Sequence, residues 1–193
     1  MIIHISGFPG SGKSKLGKKI KKIFGSKVIV YDTDQFIQHN NINGKRLLKI
    51  EKQIKSGEKK EKDYNILWKN IIKSCINDLV EKYPNKQIIF VGSLDNFSLK
   101  GEIYKINAKL KFILNIELSE ILKRYYLRIS EIDNNLTKKE SEKYWKKVSK
   151  GIFNISSSNL MIKDYEKYMK WHKKNKYILL SENEIIRELK KIF

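Results

Sequence analysis

The sequence predicts a single-domain α/β fold: a five-stranded parallel sheet with helices on both faces, in three layers. Three observations predict it. Five short runs, rich in isoleucine and other apolar residues, alternate along the chain with segments of helical periodicity. Most of these runs are apolar at consecutive positions, the pattern of strands covered on both faces rather than on one. The first run leads straight through a glycine-rich turn into a helix, as a strand–loop–helix unit does.

The elements follow in order. Met1–Ser6 reads as a buried strand, too short for a helix. Leu16, Ile20, Ile23 and Phe24 recur at helical spacing, and Gly25 ends that helix. Lys27–Tyr31 is the second strand, running into Asp32-Thr33-Asp34, and the polar stretch Asn40-Asn41-Ile42-Asn43-Gly44 reads as a loop. Tyr64, Leu67, Trp68, Ile71, Ile72, Cys75, Ile76 and Leu79 mark one face of a long helix, closed before Pro84. Gln87–Gly92 and Leu110–Ile116 are the third and fourth strands, and Ser119 is placed to cap the helix bearing Ile121, Leu122 and Tyr125. Thr137-Lys138-Lys139-Glu140 has the spacing of a capping box, with Gly151 at the far end of the helix it would open. Met161, Tyr165, Tyr168, Met169 and His172 suggest another helix. Tyr177–Leu180 is the fifth strand, and Ser181-Glu182-Asn183-Glu184 caps a last helix with Ile185, Ile186 and Leu189 inward.

Composition bounds the function. A chain of 193 residues buries enough surface to need no staples, and its single cysteine, Cys75, excludes a disulfide framework. No apolar run approaches the ~20 residues of a membrane span, and no basic region precedes the apolar start, so a soluble, cytoplasmic protein without a membrane partner is expected. The 41 Lys and Arg against 21 Asp and Glu give a formal charge of +20, which suits polyanions and phosphates. Only Arg46, Arg124, Arg128 and Arg187 are arginine. The lysine, isoleucine and asparagine excess also matches an A+T-rich coding sequence, which makes the few arginines the informative cations.

Gly7-Phe8-Pro9-Gly10-Ser11-Gly12-Lys13-Ser14 matches G-x-x-x-x-G-K-S in full, between a strand and a helix. Glycines at 7, 10 and 12 allow backbone angles that turn successive N–H groups inward around a phosphate. The start of the following helix adds its positive dipole end. Lys13 can reach β- and γ-phosphate oxygens, and the Ser14 hydroxyl can ligate Mg²⁺; Pro9 and Ser11 complete the loop.

Asp32 and Asp34 form a second signal. Positions i and i+2 of an extended segment face the same side, so two carboxylates share one site at a strand end. One can support Mg²⁺, assigned to Asp32, and the other can take a proton from an attacking hydroxyl, assigned to Asp34. Both also suit a turn and a helix cap. Val91-Gly92-Ser93-Leu94-Asp95 ends the third strand with a glycine that lets a substrate approach the backbone and an acid, Asp95, beyond the turn. Arg124 and Arg128 lie four apart on one helix face, where guanidinium forks suit phosphate oxygens, although Glu120 and Glu131 stand at ion-pairing distance along the helix.

On these motifs the chain resembles the P-loop kinases of the nucleoside- and nucleotide-kinase-like group, adenylate and shikimate kinases included, over essentially its whole length. The resemblance implies a strand order of 2-3-1-4-5, ATP and Mg²⁺ as nucleotide and cofactor, and a small-molecule phosphoryl acceptor held by the helical segment 35–83, where Arg46 could grip an anionic group. It also implies that Arg124 and Arg128 clamp the transferring phosphoryl group under a helical lid at 129–176, and that Asp95 belongs to a degenerate Walker B strand. Asp32-Thr33-Asp34 is similar to the Asp-x-Asp of shikimate-kinase-like enzymes. The Asp-Gly-Phe-Pro-Arg run of adenylate kinases, the triple glycine of shikimate kinases and the Glu/Asp-Arg-Ser motif of deoxynucleoside kinases are absent, which leaves the acceptor open. Without Asn-Lys-x-Asp a GTPase is disfavoured. Two other readings stay in view: a polynucleotide 5′-kinase, for which Tyr144, Trp145, Phe153, Tyr165, Tyr168 and Trp171 among lysines could stack bases, and a non-catalytic nucleotide-binding interaction protein. The three histidines show no metal-ligand spacing, and Cys75 falls on an apolar stripe.

Overall fold

The computed structural model describes residues 1–37, 42–92, 106–133, 137 and 156–193. Strands β1 (Ile2–Ser6), β2 (Val28–Asp32), β3 (Gln87–Val91), β4 (Leu110–Leu114) and β5 (Ile178–Leu180) form one sheet in the order β2-β3-β1-β4-β5. All four neighbouring pairs are parallel, with Ile3 opposite Ile89 on one side of β1 and opposite Leu110 on the other. The expected strand order is therefore present. The chain runs from β1 to one side of the sheet and later to the other, so the carboxyl end of β1 lies at a topological switch point, where open parallel sheets hold ligands.

The helices are α1 (Lys13–Phe24), α2 (Ile42–Lys55), α3 (Glu61–Lys82), α4 (Leu118–Asp133), α5 (Ser156–Lys174) and α6 (Glu182–Lys190). Strand alternation divides the core between the faces. Ile3, Ile5, Ile89, Val91, Phe112 and Leu114 meet Leu16 and Ile20 of α1 and Ile185 and Leu189 of α6. Ile88 and Phe90 meet Trp68, Ile72 and Ile76 of α3 on the other face. Phe8, Ile113, Ile121, Tyr168 and Tyr177 form a third cluster, which joins α5 to the loop after β1. Burial of this kind stabilises by about 1.5–3 kcal/mol per large apolar side chain. Gly17 brings α1 close to the sheet, since a Cβ there would sit 3.4 Å from both Val30 and Val91.

Gly25 ends α1, and Ser181 with Glu184 forms the expected reciprocal capping box of α6. Two local expectations are corrected. Helix α4 begins at Leu118 with the Glu117 carbonyl accepting from Ile121 N–H at 3.1 Å, so Ser119 lies inside the first turn and does not cap it. Ile42, Asn43 and Gly44 are helical, not loop. Gly44 is buried where α2 packs, and Asn43 Nδ2 reaches Cys75 Sγ at 3.7 Å on α3, so packing overrides a weak local propensity. Within the 129–176 stretch expected to form a lid, Tyr168 and His172 are buried and bonded to Ser6 of β1. The capping box at Thr137–Glu140 and the helix closed by Gly151 lie, Thr137 apart, outside the described residues.

Candidate functional site

Four segments meet at the carboxyl edge of the sheet: the Gly7–Ser14 loop after β1, the Asp32–Asp34 turn after β2, Gly92 after β3, and α4 after β4. The loop is tight. Ser11 N–H donates to Phe8 O at 3.0 Å, and Gly10 and Gly12 take φ of 83° and 95°, which L side chains rarely adopt. A Cβ on Gly7 would come within 2.6 Å of Ser11 Oγ and 3.0 Å of Lys13 Cγ, so a side chain there would displace both of these loop side chains. Among the described residues no side chain caps α1, which leaves its first-turn N–H groups facing the loop. Pro9 and Ser14 are exposed, whereas Ser11 is buried and its Oγ has no hydrogen-bond partner among the described residues.

Lys13 is half-buried and curls back over the loop, donating from Nζ to Phe8 O at 3.2 Å. Burial lowers its ammonium pKa to about 8, against the pull of the nearby Asp34 and Asp32 carboxylates. Asp32 accepts from the Asp34 N–H at 3.1 Å in a side-chain turn. Burial, then repulsion from Asp32, raises the Asp34 carboxyl above its ordinary range, with Lys13 opposing. The two acids and the lysine thus form one electrostatic cluster.

Arg124 reaches the loop from the opposite side. Its Nη1 donates to Ser11 O at 3.0 Å and to Gly10 O at 3.3 Å, while its Nε donates to Glu120 Oε1 at 2.8 Å. The i, i+4 partner is therefore the means by which the guanidinium is aimed, not an alternative to a site role. Arg128 lies one turn further along α4, and its side chain is outside the described residues. Arg46 is exposed on the second turn of α2, a helix packed against the turn that carries Asp34. Asp95 is outside the described residues.

Gly92 adopts φ of 142°, and a Cβ there would fall 1.8 Å from Thr33 Oγ1. Only glycine lets the ends of β2 and β3 approach this closely. Gly92→Ala is expected to cost about 3 kcal/mol or more, read as a lowered urea midpoint with unchanged slope.

The sequence reading passed over a buried polar group under the loop. His4 and Ser6 alternate with Ile3 and Ile5 and so face α5. His4 Nε2 donates to Gly92 O at 2.9 Å, which leaves Nδ1 to accept from Tyr177 OH at 2.6 Å. His172 Nδ1 donates to Tyr168 O at 2.8 Å, and its Nε2 accepts from Ser6 Oγ at 2.9 Å. The Ser6 hydroxyl in turn accepts from Tyr168 OH at 2.5 Å. Each imidazole is thus neutral with a set tautomer. The Ser6–His172 pair has the hydrogen bond of a nucleophile and its base, but Ser6 and His172 are both 0% exposed and no substrate can reach them. The signals were the alternation in β1 and the four-residue spacing of Tyr168 and His172.

Burial lowers the pKa of His4 to about 4, with Lys111 and Lys13 adding to it, and that of His172 to about 3, with Lys13 among the groups adding to it. The unfolded chain protonates these rings below about 6.5 while the folded one does not. Their neutral burial therefore leaves stability intact above pH 6.5 and erodes it as pH falls toward 4. The expected loss is on the order of a few kcal/mol over that window. Urea titrations at pH 7.5 and 4.5 check it, since His172→Gln should flatten the dependence.

No protein-family model matches this chain, and no curated protein is detectably similar to it in sequence. No helix of the described residues is long and apolar enough to cross a membrane. Tyr165 and Tyr168 pack edge-on against Phe8 with centroids 5.3 and 5.5 Å away, and Trp171 packs on His172, so these rings contribute to packing around the loop. Tyr144, Trp145 and Phe153 lie outside the described residues. Burial and the Asp78 carboxylate raise the Cys75 thiol pKa, the reverse of an activated nucleophile.

Proposed function

We propose that this protein is an ATP-dependent phosphotransferase of the P-loop kinase type, moving the γ-phosphoryl group to a small acceptor of the nucleotide or nucleoside class. The observation that carries this reading is the convergence of Lys13, Arg124, Asp32 and Asp34 on the Gly7–Ser14 loop at the carboxyl edge of a parallel sheet. Positive-φ glycines and open helix N–H groups suit phosphate oxygens, and two cations flank the same loop.

The donor set also fits Mg²⁺. Among the described residues no three His, Cys, Asp or Glu side chains cluster as a protein cage, whereas Mg²⁺ beside a nucleotide needs only one or two protein oxygens and takes the rest from phosphates and water. Ser14 and Asp32 would supply them. When bound, the ion would neutralise charge on the phosphate oxygens.

Asp34 is the base. Its carboxylate takes the proton of the acceptor hydroxyl as the acceptor oxygen bonds to γ-phosphorus and the bond to the β-bridging oxygen breaks, leaving ADP. Lys13 and Arg124 stabilise the charge that develops on the transferring oxygens. Arg128 would join them, and Arg46, Gly92 and Asp95 would line the acceptor side.

A polynucleotide acceptor is the second reading, and α1 favours it. Lys15, Lys18 and Lys22 are exposed on one helical face beside the loop, and no acid occurs between Lys13 and Lys27. Labelled ATP offered with nucleosides, nucleotides, a 5′-hydroxyl oligonucleotide or no acceptor separates the outcomes. Transfer to a small acceptor supports the proposal, and transfer to the oligonucleotide alone supports the second reading. ATP binding without transfer makes the protein a nucleotide-binding interaction module. No binding of ATP overturns all three.

A further inference from the structure

Helix α5 is tied to the root of the Gly7–Ser14 loop by contacts that a plain covering helix does not need. Ser6, the residue before Gly7, has its hydroxyl held between Tyr168 OH at 2.5 Å and His172 Nε2 at 2.9 Å. Phe8, the second residue of the loop, is clasped edge-on by the rings of Tyr165 and Tyr168. Phe8 O is also the carbonyl that receives Ser11 N–H and Lys13 Nζ. One helix thus grips both residues flanking Gly7, and the second of them organises the turn and the lysine.

We propose that Tyr168 and His172 are positioning residues for the Gly7–Ser14 loop, acting through Ser6 and Phe8. The inference rests on the phosphotransferase reading for its functional meaning. Its physical reason is directional. Apolar packing alone fixes a helix against a sheet without choosing one loop geometry, whereas a chain of hydrogen bonds with set donors and acceptors has one satisfied arrangement. The chain here runs Tyr168 OH to Ser6 Oγ to His172 Nε2, with His172 Nδ1–H on the Tyr168 carbonyl. Loss of one link leaves the loop root free to shift, and phosphoryl transfer is sensitive to displacements of about 1 Å.

Tyr168→Phe deletes a single oxygen, keeps the ring on Phe8 and leaves Ser6 bonded to His172, so it tests the link without emptying the core. His172→Gln keeps an acceptor where Nε2 stands, and His172→Phe removes it. Ile76→Val on α3, in a separate core cluster, supplies a comparable loss of melting temperature away from the loop. Hydrogen exchange is measured on the Gly10–Lys13 amides of the ligand-free proteins, with ATP affinity by titration. Tyr168→Phe and His172→Phe should speed loop exchange by at least about fivefold over Ile76→Val and weaken ATP binding about five- to twentyfold, and His172→Gln should restore both. Loop exchange in Tyr168→Phe equal to that in Ile76→Val, or His172→Gln no better than His172→Phe, overturns the positioning role. If the unaltered protein binds no ATP, the phosphotransferase reading falls, and the exchange comparison still decides whether α5 sets the loop.

Discussion

Lys13→Met is expected to lower kcat by at least about 10³-fold while leaving the melting temperature unchanged or raising it. The loss follows from position. Lys13 Nζ sits over the loop at 3.2 Å from Phe8 O and shares its surroundings with Asp34 and Asp32, so no other described cation can replace it at that spot. The effect on stability has the opposite sign from that of an ordinary ion pair. Burial lowers the pKa of the ammonium to about 8, which means that the folded protein holds this charge less readily than the unfolded chain, where it titrates near 10.5. The penalty is present in full below about pH 8, shrinks between about 8 and 10.5, and is gone above that range, where both states are neutral. Methionine keeps the stem and removes the charge. Thermal melts at pH 7 and pH 10.5 should therefore show a gain at the lower pH and none at the higher. Near-normal turnover would end the role of the loop lysine, and a large drop in melting temperature at pH 7 would make it a structural residue.

The distribution of what could be read in advance follows from range of interaction. The Gly7–Ser14 loop was legible because its determinants are local: positive φ at Gly10 and Gly12 and the opening of α1 depend on neighbours in sequence. The strands were legible from apolar runs, although their order is a long-range property that hydrophobic pattern does not carry. The start of α4 was misplaced because serine is a good cap wherever the backbone permits, and here the first intrahelical bond goes to Glu117. Helix α2 was missed at Ile42–Gly44 because Asn and Gly signal turns unless packing against another helix overrides them. Arg124 was legible as a rare cation but not in its contacts, since nothing in sequence spacing brings it to the Gly10 and Ser11 carbonyls. The histidines gave the least warning. Neither has a ligand-like neighbour in sequence, and their roles depend on partners such as Tyr177 and Ser6, 173 and 166 residues away.

The two aspartates should separate by kinetics. Asp34→Asn is expected to lower kcat by about 10²- to 10³-fold with little change in ATP affinity, because its partner is the acceptor hydroxyl. Asp32→Asn should instead raise the Mg²⁺ concentration needed for half-maximal rate, with a smaller fall at saturation. Their coupling gives a sharper test. Transfer needs Asp34 ionised, so kcat/KM falls at acid pH as that carboxyl protonates, at a pH above the usual carboxylate range because burial and Asp32 both raise it. Transfer also needs Lys13 charged, so kcat/KM falls again on the alkaline side, near pH 8 in the free protein. Removing the Asp32 charge takes a repelling neighbour from Asp34 and an attracting one from Lys13. Both limbs should then move to lower pH together, which loss of a simple metal ligand or turn residue would not produce. An acid limb that stays in place in Asp32→Asn, or equal and small losses in both variants, would reduce the pair to a turn that caps the end of β2.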